Sequence, residues 1–599
     1  MAGIQEGNVV PQNERLFESR SNPQIPNNVG GFEYKLDDMK HLHRFLIIGS
    51  DRTHYAIRKE LEIENKNTIK RLIRENNGAE VVKTIKEISK SRRNVRQDAL
   101  LFAFAVCARS NDTSTKRAAY AALSDVCRIP THLFMFINYC EEVSSEEPSD
   151  TTEEREAGTT GWGRAHKRAI QSWYTKFEQT PEILARLIRK YGKGDKWKHK
   201  DVIRLCHAKT DDNVMKFIFS YIIKGYQKSM TEFYQIILEA SDEEKAKLEN
   251  IRDLITVYDD ASRCQNVQQL CHMIREHKLA WEHCNQTLIK NRDVWHNLLP
   301  HMPIEALVRN LSRMTKYGLL TENSEDEQMV LDKIRSINIP CDPNSSQELH
   351  GGPLSVDEEM EDEHPWGMGM SCKNYLHPLK LLTAWQAYKT GHSERRDSQW
   401  TPNQKVVDAL EEAFYKAYSV IERTNKTFYL AVNTSVSTKT CMYDSSITHS
   451  MAAAAMLMLF ARTEENCIIK SFGGERVEDL GILRTDKLEH VEQKIRNANH
   501  PRVNDCAQPI KDAIEMQNTN IDVFVYYTDS ETCGGNVHPY EALIQYRKHS
   551  GNSEVRLVVC AMNATDLTLA DQEDPLVLDI VGVDANTPWV ISEFAKGHI

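Results

Sequence analysis

One stretch of the chain concentrates positive charge in a protein that is otherwise acidic. Residues 161–209 contain 13 Lys and Arg against 4 Asp and Glu, a local net charge of +9, whereas the 599-residue chain as a whole carries −11. Clustered Lys and Arg side chains are what the phosphates of a nucleic acid require. The segment therefore favours an RNA backbone as its ligand, although a solvated basic helix face is an alternative that charge alone leaves open.

The first part of this stretch has the spacing of an amphipathic helix over 164–176. Arg164, Lys167 and Arg168 recur at steps of three and four residues, so they are expected to share one face of the helix. The opposite face is expected to pack inward through Ala165, Ile170 and Trp173.

The second part predicts a helix over 199–207 that begins among cations. At its predicted start stand Lys196, Lys198, His199 and Lys200, and Arg204 and His207 follow about one and two turns later. Helix N-termini present free backbone N–H groups and the positive end of the helix dipole. A phosphate at this point would meet fixed donors and mobile charged groups together.

A second polar cluster follows the predicted strand 428–432. Asn433, Ser435 and Ser437 are spaced by two, which resembles the D-x-S-x-S loop with which von Willebrand A domains bind a magnesium-like ion. Asp529 is the candidate for a further carboxylate. Asn433 and Asn504 stand where that pattern has an Asp and a Thr, and an amide oxygen carries no net charge. The sequence therefore predicts a degenerate metal site and, at most, a weakly bound divalent cation such as Mg²⁺.

Motifs for catalysis are missing from the sequence. There is no G-x-S-x-G, no Walker loop and no H-E-x-x-H, and the isolated His392 and His449 have no acid or nucleophile motif beside them. We therefore expect a protein that is not an enzyme.

Composition indicates an intracellular protein. The 14 cysteines include no C-x-x-C pair and are scattered singly through apolar segments, which favours free thiols in a reducing compartment. The N-terminus has no apolar stretch of signal-peptide length, and the apolar run 451–461 is too short to cross a membrane. We expect a cytoplasmic location, with the nucleus as an additional one.

Helical periodicity dominates the first two thirds of the chain. After a polar segment over 1–32 that we expect to be a disordered tail, a succession of helices with almost no strand signal predicts stacked helical hairpins of the HEAT kind. An irregular helical bundle is the alternative. The predicted helices are 37–46, 67–75, 79–89, 96–109, 114–126, 164–176, 180–191, 199–207, 212–227, 243–259, 265–276, 278–289, 293–299 and 303–316.

The pattern changes in the last third of the chain. Strands at 428–432, 467–472, 522–528 and 555–561 alternate with helices at 447–463, 486–497, 505–517 and 538–549, which predicts a parallel sheet covered by helices. We place the helical domain at 33–400 and the α/β domain at 401–599. Acidic, turn-rich stretches near 141–161 and 339–371 are expected to be loop insertions.

Ordered segments along the whole chain resemble the Ro autoantigen family of ribonucleoproteins. They are LHRFL (42–46), CRIPTHLF (127–134), GWGRA (161–165), HKD (199–201), YKTGH (388–392) and TD (528–529) followed by HP (538–539). The resemblance runs from about residue 33 to the C-terminus.

This resemblance implies a TROVE domain, a ring of α-helical HEAT-like repeats, followed by an α/β von Willebrand factor A-like domain where the two ends of the ring meet. It implies Y RNA on the outer surface and the single-stranded ends of misfolded non-coding RNAs, such as 5S rRNA precursors, in the central hole. It adds Arg128, Thr131 and His132 to the RNA-binding residues predicted above. A monomer within a ribonucleoprotein, with protein partners at the A-like domain, is expected.

Two classes of function follow from the sequence. The first is an RNA-binding component that acts in small-RNA stability and quality control. The second is a protein-interaction scaffold in which the helical repeats and the A-like domain both bind proteins. Salt dependence separates them, because phosphate binding weakens steeply as salt rises and an apolar protein interface does not.

Overall fold

A computed structural model gives the architecture of the chain. It describes residues 10–16, 23–27, 29–49, 58–91, 93–94, 97–145, 162–192, 194, 196–337, 376, 378–393, 398–416, 422–434, 447–474, 476–498, 504–517, 519–528, 532–562, 565–582 and 586–599, with the backbone alone at 58–62, 145, 378–379 and 393.

The N-terminal region is helical after two short strands, β1 (Gln24–Pro26) and β2 (Phe32–Lys35). Its helices are α1 (Asp38–Ile48), α2 (Arg58–Arg74), α3 (Gly78–Lys90), α4 (Gln97–Arg109), α5 (Thr113–Ala121), α6 (Leu123–Val126), α7 (Pro130–Ser145), α8 (Arg164–Thr175), α9 (Pro181–Lys190), α10 (His199–Cys206), α11 (Asn213–Lys224), α12 (Tyr226–Glu239), α13 (Asp242–Arg263), α14 (Val267–His277), α15 (Arg292–Leu298), α16 (Ile304–Lys316), α17 (Glu325–Arg335), α18 (Pro378–Lys389) and α19 (Gln404–Lys416). A hairpin of β3 (His392–Ser393) and β4 (Ser398–Gln399) separates α18 from α19.

Side chains at the helix starts explain why many of these helices begin where they do. Asp37, Asp112 and Asp212 each accept a hydrogen bond from the backbone N–H three residues on, which satisfies one of the free donors of a first turn. Ser241 and Glu244 form a reciprocal capping box at the start of α13. The helices then pack against one another, both between successive helices such as α11 and α12 and between helices further apart in the chain such as α4 and α7.

Several predicted helices differ from the observed ones: 114–126 is divided into α5 and α6, and α7, α17, α18 and α19 were not predicted. The predicted helix 212–227 is interrupted at Gly225, whose φ of 80° ends α11, and a separate helix α12 follows that the sequence did not predict. The predicted helix 278–289 was wrong, because this segment forms two 3-10 turns, Trp281–His283 and Leu288–Lys290, with a third turn at Leu299–His301. Lys278 in the left-handed conformation ends α14.

The C-terminal region is an α/β domain built on a six-stranded sheet of order β11-β9-β8-β5-β6-β7. Its pairs are parallel except for β6 with β7. The elements are β5 (Thr427–Asn433), α20 (His449–Thr463), β6 (Asn466–Gly473), β7 (Arg476–Asp479), α21 (Leu488–Asn497), α22 (Gln508–Glu515), β8 (Val523–Thr528), α23 (Pro539–Ser550), β9 (Arg556–Ala561), β10 (Leu567–Thr568), β11 (Val577–Val581) and α24 (Thr587–Lys596). The predicted fold class is confirmed.

The N-terminal segment crosses to the C-terminal domain. Strand β2 lies between β1 and β10 in a small antiparallel sheet, so a strand that precedes α1 pairs with one from the α/β domain. Residues 10–16, which we name the N-terminal strap, contact the loops around Asp505 and Thr532. The described residues of segment 1–32 therefore differ from the disordered tail that the sequence predicted. Polar groups of the strap form hydrogen bonds with residues about 500 positions further along the chain.

Both ends of the helical region contact the α/β domain. At one end, the Arg44 guanidinium of α1 binds the Asp579 carboxylate of β11. At the other, Lys389 of α18 binds Glu489 of α21. The α/β domain therefore connects the first helices of the repeat array with the last ones.

Several smaller predictions can be compared with the structure. The eleven cysteines in the described ranges are all unpaired, and nine of them are buried. The apolar run 451–461 is buried in α20, and no helix among the described residues is long and apolar enough to cross a membrane. The acidic stretches lie mostly outside the described residues, although the first begins inside α7, which continues to Ser145. The domain limits of 400 and 401 stay a prediction.

Candidate nucleic-acid interface

The two basic helices lie side by side and point in the same direction. Trp162 precedes α8 and Trp197 precedes α10, and their rings meet edge to face with centroids 5.7 Å apart. At the opposite ends, the Gln171 amide of α8 donates to the backbone oxygen of His207 after α10, across 3.4 Å. The N-termini of α8 and α10 are therefore neighbours on one side of the molecule.

Most of the predicted basic residues lie at the surface of this helix pair. Arg164, Arg168, Lys196, Lys200, Arg204 and His207 are exposed, and Lys167 is half-buried. Lys167 of α8 lies near Cys206, the last residue of α10. Lys196 is partly neutralised by Glu142 of α7, whose carboxylate lies 3.6 Å from its ammonium. We name Arg164, Lys167, Arg168, Lys196, Lys200 and Arg204 together the basic face.

His199 does not belong to the basic face, so this part of the prediction needs correction. Its side chain is buried, its Nδ1 lies 2.8 Å from the Tyr174 hydroxyl, and its ring packs against Phe134. Burial lowers the pKa of His199 to about 3, so the ring is neutral near pH 7. Because α10 begins at His199, the buried ring instead fixes the position of Lys200 beside it.

The residues around the start of α7 are less accessible than the basic face. Arg128, Thr131 and His132 are all half-buried. Burial, with the positive charges of Arg128 and Lys380 nearby, lowers the pKa of His132 to about 3. His132 therefore offers a neutral imidazole, and Arg128 is the cation of this group.

Sequence reasoning also misplaced one residue of α8. Ala165 is exposed, whereas His166, which was not singled out, takes the inward position and is surrounded by the rings of Trp162, Tyr120 and Phe136. Burial lowers the pKa of His166 to about 3. Lys198, the residue before α10, is exposed and extends the basic face. The helical phase of Ile170 and Trp173 was the signal that could have placed His166 inward.

This arrangement can bind a phosphate backbone. Neither Gly163 nor Lys198, the two N-cap residues, supplies a side-chain hydrogen bond to the first turn of its helix. Two neighbouring helix dipoles then add their positive ends to the mobile cations around them. Such a surface contacts phosphates rather than base edges, so it selects the shape of a nucleic acid more than its sequence.

The predicted metal position lies at the carboxyl end of β5. Asn433 is buried, and its amide Nδ2 donates to the Thr528 hydroxyl at the end of β8, across 3.2 Å. Asn504 is also buried and forms a bridge with Gly474 after β6. Ser435, Ser437 and Asp529 lie outside the described residues. Within the described ranges there is no group of three His, Cys, Asp or Glu residues that could hold a metal ion. Of the residues that the sequence placed at this site, those that the structure describes, Asn433 and Asn504, carry neutral amides, whose oxygens attract a divalent cation less strongly than a carboxylate does.

An array of helical hairpins carrying a basic face, joined at both ends to an A-like α/β domain, defines the class of protein. A family model described as the TROVE domain matches residues 25–338, and one described as the Ro60 vWA domain matches residues 427–595. The chain belongs to the TROVE-domain family.

Relatives match along nearly the whole chain. The RNA-binding protein RO60 of Caenorhabditis elegans is 30% identical, in an alignment covering 98% of this chain and 92% of the relative. The RNA-binding protein RO60 of Deinococcus radiodurans is 29% identical, with 98% of each chain covered. The crystal structure of the Deinococcus radiodurans RO (RSR) protein superposes with a TM-score of 0.61 at 26% identity, covering 94% of this chain and 100% of the other.

Proposed function

We propose that this protein binds structured small RNAs of the Y RNA type, and misfolded non-coding RNAs such as 5S rRNA precursors, through the basic face. The observation that carries the proposal is the pairing of the α8 and α10 N-termini among exposed cations in an otherwise acidic chain. The relatives named as RNA-binding proteins support RNA as the ligand.

The chemistry of the basic face favours recognition of RNA by shape. Side chains cannot read bases in the narrow, deep major groove of A-form RNA, so proteins that bind such duplexes contact phosphates and 2′-hydroxyls. Arg164, Arg168 and Arg204 can each bridge a phosphate with two N–H groups, while Lys200 supplies a compact charge. A duplex stem is accordingly the element that this face binds.

The role that follows is non-enzymatic. By holding a structured RNA on the basic face and a loose single-stranded end within the helical array, the protein would act in small-RNA stability and quality control. We assign it to the cytoplasm, with a nuclear pool, as a monomer within a ribonucleoprotein, and we keep a weakly bound divalent cation at the carboxyl end of β5 as a prediction.

Cross-linking and sequencing of the RNA that copurifies with the full chain from cells tests this proposal. We expect enrichment of a few stem-containing small RNAs, with cross-links that map to α8 and α10. A variant carrying Arg164→Glu, Lys167→Glu and Arg168→Glu should lose that enrichment. Recovery of RNA at background level with the unmodified chain, or cross-links outside α8 and α10 only, would overturn the proposal.

A further inference from the structure

The N-terminal strap occupies a groove on the α/β domain. Two loops form the walls of this groove: residues 504–508, which lead into α22, and residues 532–541, which follow β8 and lead into α23. Asn504 also bridges to Gly474, directly after β6. The groove is thus at the carboxyl ends of parallel strands, where open α/β sheets bind their ligands.

One side chain of the strap is enclosed completely. Gln12 is 0% exposed, and its Nε2 donates to Asp505 Oδ1 at 2.5 Å and to the Val537 carbonyl at 2.7 Å. Its Oε1 accepts from the Thr532 hydroxyl, and its backbone N–H donates to the Gly535 carbonyl at 3.1 Å. Both halves of the amide are therefore paired, so the pocket distinguishes glutamine from a glutamate or a shorter side chain.

The pocket is held open by contacts within the α/β domain itself. Asp505 is buried, and its other bonds run to the Ala507 N–H, to the Gln508 amide at 2.8 Å and to Lys511 at 3.1 Å. These partners fix the carboxylate without any help from the strap. The acceptor that recognises Gln12 therefore remains in place when the strap is absent.

Backbone contacts fix the rest of the strap, in which residues 11–14 form a turn closed by the Glu14 N–H donating to the Pro11 carbonyl at 2.9 Å. His538 donates from Nε2 to the Glu14 carbonyl at 2.8 Å, and the Val10 N–H donates to Glu541 across 3.3 Å. Asn13, Glu14 and Arg15 leave their side chains exposed. Main-chain bonds combined with a pocket for one side chain are a recurring way in which proteins recognise peptides.

Hydrogen bonds hold the strap in the groove, so another peptide could replace it. Leu16 is the one apolar side chain of the described strap that is buried, so hydrogen bonds supply most of the contact. A hydrogen bond exchanged with water is worth about a few-fold to tenfold in affinity, and an external peptide of the same chemistry would form the same bonds.

We propose that this groove is a recognition site for a polar peptide of a partner protein that forms the same turn, with glutamine at the buried position. Residues 10–16 are its ligand in cis, and the partner peptide must displace them. Because the strap continues through β2 into α1, its displacement would also release contacts between the α/β domain and the start of the helical array.

Peptide binding in trans tests the proposal. The probe is a fluorescein-labelled synthetic peptide with the sequence of residues 8–18, and its fluorescence anisotropy is measured against the full chain and against the chain lacking residues 1–16. We expect saturable binding to the shortened chain and none to the full chain. A peptide with Gln12→Ala should bind about tenfold more weakly or worse, whereas Asn13→Ala, at an exposed position, should bind like the original.

A second variant keeps the test decisive if the shortened chain does not fold. In the full chain carrying Gln12→Ala, the strap is weakened and the labelled peptide should enter, whereas in the full chain carrying Asn13→Ala it should not. The proposal is overturned if neither the shortened chain nor the Gln12→Ala chain binds the peptide saturably. It is also overturned if the peptide with Gln12→Ala binds as well as the original.

Discussion

Arg44 and Asp579 form an ion pair that is almost entirely buried between α1 and β11, with side-chain exposures of 2% and 4%. The guanidinium also donates to the backbone oxygens of Thr565 and Leu567, at 3.1 and 2.8 Å, and Asp579 accepts from the Thr568 hydroxyl. This one arginine therefore connects the first helix of the array to β10, to the loop that precedes β10 and to a side chain of β11 in the A-like domain.

Removal of one partner of this pair should be costly. We expect Arg44→Leu to lower the free energy of unfolding by about 3–5 kcal/mol, because it leaves the Asp579 charge buried without its partner. Arg44→Leu combined with Asp579→Leu should cost less than the sum of the two single changes. Urea unfolding of the four proteins measures this, and additive losses would show that the pair is not coupled.

Buried histidines should make the protein sensitive to acid. Burial lowers the pKa of His166, His199 and His283 to about 3. The unfolded chain takes up these protons near pH 6.5, so stability is complete above that pH and falls by about 1.4 kcal/mol per pH unit for each ring down to about pH 3.

His166 offers a direct measurement of this effect. His166→Phe should flatten the dependence of the unfolding free energy on pH by about 1.4 kcal/mol per unit between pH 6 and 4. His272→Gln, at an exposed position of α14, is the matched control and should leave the slope unchanged. An unchanged slope in His166→Phe would mean that this ring is not held neutral.

The cation prediction is tested at Asn433. Millimolar Mg²⁺ should raise the melting temperature of the unmodified chain little, because stabilisation follows RT ln(1 + [L]/Kd) and vanishes when Kd is large. Asn433→Asp should add about 1.4 kcal/mol to the free energy of unfolding once the Mg²⁺ concentration exceeds Kd tenfold. Scanning calorimetry with Mg²⁺ and with a chelator measures both. A large chelator-sensitive shift in the unmodified chain would contradict the expected weak site.

Substitutions of the exposed cations of α10 and of its buried His199 should have different effects. Lys200→Ala with Arg204→Ala should weaken binding of a hairpin RNA more than binding of a single-stranded tail, because the proposed function assigns these exposed cations to a duplex backbone. His199→Phe should lower stability, through loss of the Tyr174 contact, while RNA affinity in the folded protein stays the same. A selective loss of affinity in folded His199→Phe protein would restore His199 as an RNA contact.

Local sequence patterns were enough to predict the fold class. Apolar spacing gave the helical array, and the strands around 428–432 and 522–528 were found within one residue of β5 and β8. Helical phase also placed Arg164, Lys167 and Arg168 on one face. Patterns of this kind work because 3.6- and 2-residue periods follow directly from burial of one face.

The failures concern contacts between distant parts of the chain. Gln12 looked like part of a disordered tail because its partners, Asp505 and Thr532, are about 500 residues away. His199 looked like a surface cation because nothing local shows that Tyr174 and Phe134 enclose it. Periodicity reports which face is buried, and it does not report what buries it.

The most direct test of the proposed function is the salt dependence of binding to a hairpin RNA. The unmodified chain should lose affinity steeply between 50 and 200 mM salt, since each phosphate contact contributes about 0.7–0.9 to the slope of log K against log salt. The α8 variant combines Arg164→Glu, Lys167→Glu and Arg168→Glu. It should bind hairpin RNA weakly, and its slope of log K against log salt should be shallower by about two. The control variant combines Lys83→Glu, Lys245→Glu and Arg309→Glu. It changes the net charge by the same amount as the α8 variant, at exposed sites on α3, α13 and α16, and should bind hairpin RNA like the unmodified chain. If the folded α8 variant bound hairpin RNA with the original affinity and slope, the basic face would not be the RNA-binding surface.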